Sequence, residues 1–120
     1  MTAARQALGR GAEEQAAGWY VAHGYEVLDR NWRCRDGEID LVLAQRRRRL
    51  IVVCEVKARR SERFGTALEA VGFHKQQRLR RLAARWLCER GREAGIRGVN
   101  VRFDVATWQD GTFSVLENAF

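Results

Sequence analysis

The strongest constraint on the fold of this chain is a run of eight residues, Leu50-Ile51-Val52-Val53-Cys54-Glu55-Val56-Lys57, apolar and β-branched through most of its length. A half-exposed strand alternates apolar with polar residues, so a run like this fits a strand covered on both faces. A second strand precedes it, Glu38-Ile39-Asp40-Leu41-Val42-Leu43-Ala44, and only the polar connection from Gln45 to Arg49 lies between. Strands joined by so short a link pair as an antiparallel hairpin. A tight turn near Arg47 and Arg48 pairs residues whose numbers total 95, which sets Asp40 directly across from Glu55.

The remaining elements follow from periodicity. Ala3 to His23 reads as a helix with Leu8, Ala12, Ala16, Trp19 and Tyr20 on one face, stopped by Gly24 in a left-handed conformation. Tyr25 to Asn31 is a short strand, and Arg35-Asp36-Gly37 a turn. Ser61 to Gly72 is irregular, with a helical turn around Thr66 to Ala70. A second helix runs from His74 to Arg90, its core stripe formed by Leu79, Leu82, Ala83, Trp86 and Leu87. Gly91 and Gly95 frame a connection to a strand from Val99 to Trp108. Asp110-Gly111 is a hairpin turn signal, and Thr112 to Leu116 returns. The order predicts an α/β fold: a mixed β-sheet of about five strands flanked by helices, one domain over residues 1–120.

Lys and Arg total 22 against 15 Asp and Glu, a net charge of +7, and nearly all the positive charge is Arg. Guanidinium forks match phosphate oxygens, so a polyanion is the natural partner. The three cysteines, Cys34, Cys54 and Cys88, show neither zinc spacing nor an even disulfide set. They are expected as reduced thiols, with Cys54 in the core. No apolar run can span a bilayer and no apolar signal core opens the chain, so a cytoplasmic protein without membrane contact is expected.

The hairpin places two carboxylates together among Ile39, Leu41, Val53 and Val56. Burying two uncompensated anions costs several kcal/mol each, so something must neutralise them. A hard divalent cation is one answer, since such ions choose carboxylate oxygens. Lys57, two residues past Glu55 and on the same face, is the other. Glu13 falls at the border of the first helix's apolar face, where it can reach the same sheet end. Equally, it can serve only the helix macrodipole.

The run Gly37-Glu38-Ile39-Asp40-Leu41-Val42, then Val53-Cys54-Glu55-Val56-Lys57-Ala58-Arg59, resembles the YraN-like bacterial family, uncharacterised protein family 0102. The likeness extends through Leu8-Gly9, Glu13, Gly24-Tyr25, Arg30-Asn31-Trp32, Lys75, Arg78-Leu79, Arg102-Phe103-Asp104-Val105 and Asn118-Ala119-Phe120. That family is similar to the PD-(D/E)xK nucleases, including restriction enzymes and archaeal Holliday-junction resolvases. The resemblance implies a restriction-endonuclease-like sheet with Mg²⁺ or Mn²⁺ held by Asp40, Glu55 and the carbonyl of Val56. It makes Lys57 the catalytic lysine, matches Glu13 to the helix acid of resolvase-like members, and points to a homodimer. Ile39 stands where the motif has proline.

The function so implied is metal-dependent hydrolysis of phosphodiesters in DNA rather than RNA, on branched or single-stranded forms. The alternative is a nucleic-acid-binding protein that keeps the fold without efficient catalysis. Arg46, Arg47, Arg48, Arg49, Arg59, Arg60, Lys75, Arg78 and Arg81 are the candidates to grip the phosphate backbone. His74 reads as a helix-start residue, Asp104 with Arg102 as a structural ion pair, and Trp19, Trp86 and Trp108 as core. Trp32 is expected to pack, with stacking on a base as the other reading.

Overall fold

A computed structural model of the chain describes residues 3–59, 71–93, 95 and 98–120. The helical turn expected at Thr66 to Ala70, and Arg60, lie outside the described residues. The elements are α1 (Ala3–Ala22), β1 (Glu26–Cys34), β2 (Gly37–Gln45), β3 (Leu50–Arg59), α2 (Phe73–Arg90), β4 (Asn100–Gln109) and β5 (Thr112–Leu116). Their order is the expected one. The main shift is β1, which runs on to Cys34 because Arg35 and Asp36 alone make the turn into β2.

One sheet holds all five strands in the order β1-β2-β3-β4-β5. Neighbours are antiparallel except β3 and β4, which are parallel. A parallel pair needs a crossover, and the chain supplies it through α2. The sheet is therefore mixed and carries a helix on each face, the α/β architecture expected.

β3 alternates between two cores. Leu50, Val52 and Cys54 join Ala16, Ala17 and Tyr20 of α1, while Ile51 and Val53 join Leu79, Leu82, Ala83 and Trp86 of α2. Both faces of β3 are thus covered, which is why its sequence lacks polar alternation. Each such aliphatic side chain contributes about 1.5–3 kcal/mol on burial. Trp86 also donates its indole N–H to Asp29 Oδ2 at 3.0 Å. Trp19 and Trp32 are partly buried and pack against the α1-side and α2-side clusters respectively. Trp108, expected in the core, joins neither cluster; it lies half-buried near the end of β4, paired with Phe113 next to the turn.

Turn chemistry closes the elements. Gly24, at φ +86°, ends the α1 segment as its position implied. Asp110 and Gly111 both have positive φ, the signature of the two-residue turn whose twist matches its flanking strands. No helix among the described residues is long and apolar enough to cross a membrane.

Candidate active site at the end of the β2–β3 ribbon

The expected register holds over most of the hairpin: β2 and β3 pair from Gln45↔Leu50 to Leu41↔Cys54. One more step would set Asp40 opposite Glu55, but the regular ladder stops at Leu41. Instead Asp40 Oδ2 accepts the backbone N–H of Val56 at 2.8 Å. The cause is local. Ile39 and Val42 both join the α2-side core although they are three residues apart, whereas strict alternation would put them on opposite faces. The alternation therefore slips around Asp40. β1 is irregular beside it: Asn31 has φ +48°, and no pair links Asn31 to Asp40, although Arg30↔Leu41 and Trp32↔Ile39 on either side keep one register. The two acids meet where the β2–β3 ladder ends and the two strands part, rather than as a regular cross-strand pair.

Both acids are nearly buried, Asp40 at 8% and Glu55 at 7% exposure. Burial, then the neighbouring charge of Glu55, pushes the Asp40 carboxyl up to about 7, with the Val56 N–H pulling the other way. Glu13 also acts on Asp40 and senses Glu55 in turn. Its own pKa is raised by burial, against a hydrogen bond with the Asn31 side chain. The half-buried position expected for Glu13 on α1 thus brings it into electrostatic range of both acids.

Glu55 has its own cations. Its Oε1 lies 3.2 Å from Lys57 Nζ and 2.6 Å from Lys75 Nζ. Lys57 is where the sequence places it. Lys75, expected on a phosphate backbone, instead sets its ammonium on Glu55 from the first turn of α2. Burial and the neighbouring Lys75 lower the pKa of Lys57. Burial also works against Lys75, but its bonds to Glu55 and Lys57 outweigh it and hold its pKa above the ordinary lysine value. Of the two, Lys57 gives up its proton first. Sequence reasoning misses both Lys75 and Asn31 as partners of the site's acids. Lys75 carries a usable signal, being one of only two lysines in the chain.

The donor set suits a hard cation. In an extended strand the N–H and C=O of one residue point the same way, so the Val56 carbonyl opens on the side of its N–H, toward Asp40. Two carboxylates and a carbonyl are oxygen donors that Mg²⁺ or Mn²⁺ accepts, with waters completing the shell. Among the described residues no three His, Cys, Asp or Glu side chains converge as a metal-binding group.

The expected phosphate grips are spread out. Arg78 and Arg81 are exposed on α2. Arg46, Arg47 and Arg48 form a short 3-10 turn, with Arg49 after it, at the far tip of the hairpin. Strand rise alone puts that tip roughly 17 Å from Glu55. Arg46 pairs with Glu26 at 2.9 Å. Arg59 ends β3, its backbone paired with Gln109. His74 is exposed at the start of α2.

The crowding of Asp40 makes the fold sensitive to pH. Its raised pKa means that between about pH 4 and pH 7 the folded chain keeps a proton the unfolded chain has lost. Stability therefore falls as pH rises through that window, and the loss is complete above it. Asp40→Asn removes this cost and can still accept the Val56 N–H. In chelator the variant should be more stable than wild type by on the order of 2 kcal/mol at pH 8, with no difference near pH 4. Urea melts at the two pH values check this; an equal gain at both would show that ionisation is not the cause.

The model of uncharacterised protein family UPF0102 matches residues 12–107, a stretch that takes in Glu13, Asp40, Glu55, Lys57 and Lys75. A UPF0102 protein of Frankia casuarinae is 51% identical over 102 residues, 85% of this chain and 81% of the relative. One from a Nocardioides species is 55% identical over 89 residues, 74% of this chain and 70% of the relative. One from Rhodococcus opacus is 46% identical over 99 residues, 82% of this chain and 79% of the relative. The YraN-like resemblance read from the hairpin motif thus holds along most of the sequence, and the chain belongs to uncharacterised protein family UPF0102.

Proposed function

We propose that the chain is a metal-dependent nuclease that hydrolyses phosphodiester bonds in DNA, on branched or single-stranded forms, in the cytoplasm. The observation that carries this reading is the meeting of Asp40, Glu55 and Lys57 where the β2–β3 ladder ends, with the Val56 amide fixing Asp40. Asp40, Glu55 and the Val56 carbonyl would hold Mg²⁺ or Mn²⁺. When bound, such an ion polarises a phosphate oxygen and lowers the pKa of water.

The chain's own residues supply the rest. Lys57, held 3.2 Å from Glu55 by their spacing on β3, orients the attacking water or meets charge developing on the phosphorane oxygens. Its lowered pKa lets it move a proton near neutrality more readily than an ordinary lysine. Glu13 borders the site from α1 with a carboxyl that burial keeps easier to protonate. Arg78 and Arg81, on the helix that delivers Lys75, hold the phosphate backbone near the reacting bond. The arginines at the hairpin tip lie far enough away to bind only a distant stretch of a long substrate.

The test is cleavage of linear duplex, single-stranded, flap and four-way DNA, with RNA counterparts, in Mn²⁺ or Mg²⁺ and in chelator. Metal-dependent cutting of at least one DNA form is expected. If none is cut while nucleic acid still binds and releases steeply with salt, the fold is a binding module without catalysis.

A further inference from the structure

The chain has two lysines among its 22 basic residues, and both meet at the same oxygen of Glu55. We propose that Lys75 is a built-in counter-cation for the site: its ammonium occupies Glu55 in the place a divalent ion would take, so that metal binding must displace it. This rests on the reading of Asp40 and Glu55 as metal ligands.

Three observations support the assignment. The first is distance. Lys75 Nζ lies 2.6 Å from Glu55 Oε1, closer than Lys57 Nζ at 3.2 Å, so Lys75 makes the tighter contact with the oxygen. The second is charge balance. Asp40 and Glu55 can be neutralised by two ammonium groups or by one divalent ion. With both present the site carries two excess positive charges at close range. Lys57 is tied to the site by its position on β3, two residues from Glu55. Lys75 reaches in from another element on a flexible four-carbon stem, with its side chain 32% exposed, and can swing out without moving the backbone.

The third observation is the helix itself. Lys75 lies in the first turn of α2, where the helix dipole disfavours a cation and where no acidic residue stands. Local helix energetics give no reason for a lysine there; the Glu55 carboxylate does. An arginine, the chain's usual cation, would bring a planar fork where a compact point charge is needed on one oxygen. Lys75 is in this sense a positioning residue. It holds Glu55 in place in the metal-free protein and sets the threshold for metal entry.

The experiment is calorimetric titration of Mn²⁺ into wild type, Lys75→Gln, Lys75→Met and Asp40→Ala, paired with thermal melts in chelator and in Mn²⁺. Lys75→Met keeps the aliphatic stem and so controls for lost packing. Both Lys75 variants are expected to bind Mn²⁺ at least about ten-fold more tightly than wild type. They are also expected to melt lower in chelator and to recover more on adding Mn²⁺. A variant that is unfolded in chelator and refolds in Mn²⁺ supports the proposal, and one that does not refold overturns it. Equal Mn²⁺ affinity in wild type and both variants, with Asp40→Ala weaker, overturns the role of Lys75 and leaves the metal site standing. Absence of Mn²⁺ binding in every protein overturns both.

Discussion

Asp40→Ala is expected to lose metal-dependent DNA cleavage by on the order of 10³-fold, and Lys57→Ala by about 10²–10³-fold. Asp40 would contribute a hard oxygen where β2 and β3 part, and is fixed there by the Val56 N–H at 2.8 Å. Without it a bound cation would keep only Glu55 and one carbonyl as protein donors. Lys57 loses less because the metal ligands remain. The loss in Asp40→Ala would not come from unfolding. Asp40 is a buried carboxyl whose pKa is pushed up to about 7, so its removal relieves a cost in chelator.

Binding and cutting should therefore separate. On the proposed function, DNA affinity in chelator and its steep decline with salt would be set by arginines that both variants keep. Gel cleavage of the four DNA forms, with affinity measured on the same preparations, reads the two quantities side by side. Cleavage by Asp40→Ala equal to wild type would mean that a contaminant did the cutting, and the nuclease reading would end there. Normal binding by wild type with no cutting by any preparation would leave the binding-module reading.

The parts of this fold that are legible in the sequence are those where one local pattern decides. The eight-residue run of β3 has no polar alternation because it is covered by α1 and α2, and that requirement acts directly on residue choice. The hairpin register is legible because a short link leaves few ways to pair two strands. What escapes is set by tertiary slip and approach. No propensity marks the change of face around Asp40, which falls beside the break in pairing at Asn31, a residue with positive φ in the neighbouring strand. The bond from Lys75 to Glu55 is equally hidden, since it joins elements 20 positions apart through a crossover. A core position for Trp108 follows from size alone, and size does not register that it sits beside the turn at the end of β4, paired with Phe113.

Asp104→Ala is expected to destabilise the fold by about 3–5 kcal/mol, more than Asp40→Ala, Lys57→Ala or Tyr20→Phe. Asp104 is fully buried and accepts four hydrogen bonds. Tyr20 donates from α1 at 2.6 Å, Arg102 donates twice at 2.9 Å, and the Asn118 N–H donates at 3.0 Å. The sequence implies the Arg102–Asp104 pair; the Tyr20 and Asn118 bonds make it a junction between α1, β4 and the tail. Alanine would leave the Arg102 guanidinium, its side chain 12% exposed, with Tyr25 and Glu117 as its remaining polar partners among the described residues. It would also leave the Tyr20 hydroxyl, whose pKa is raised first by burial and which therefore stays a donor, with the weakly accepting Cys54 thiol in place of a carboxylate. At roughly 4 °C per kcal/mol for a chain of this size, the melting point should fall by about 12–20 °C. Tyr20→Phe removes one of the four bonds and should cost about 1 kcal/mol. The effect should reach the candidate site, because Tyr20 seats the same helix that carries Glu13. Thermal melts of the two variants, with amide exchange at Asn118, test the junction. A melting point within about 4 °C of wild type for Asp104→Ala would show that Arg102 finds other partners at little cost.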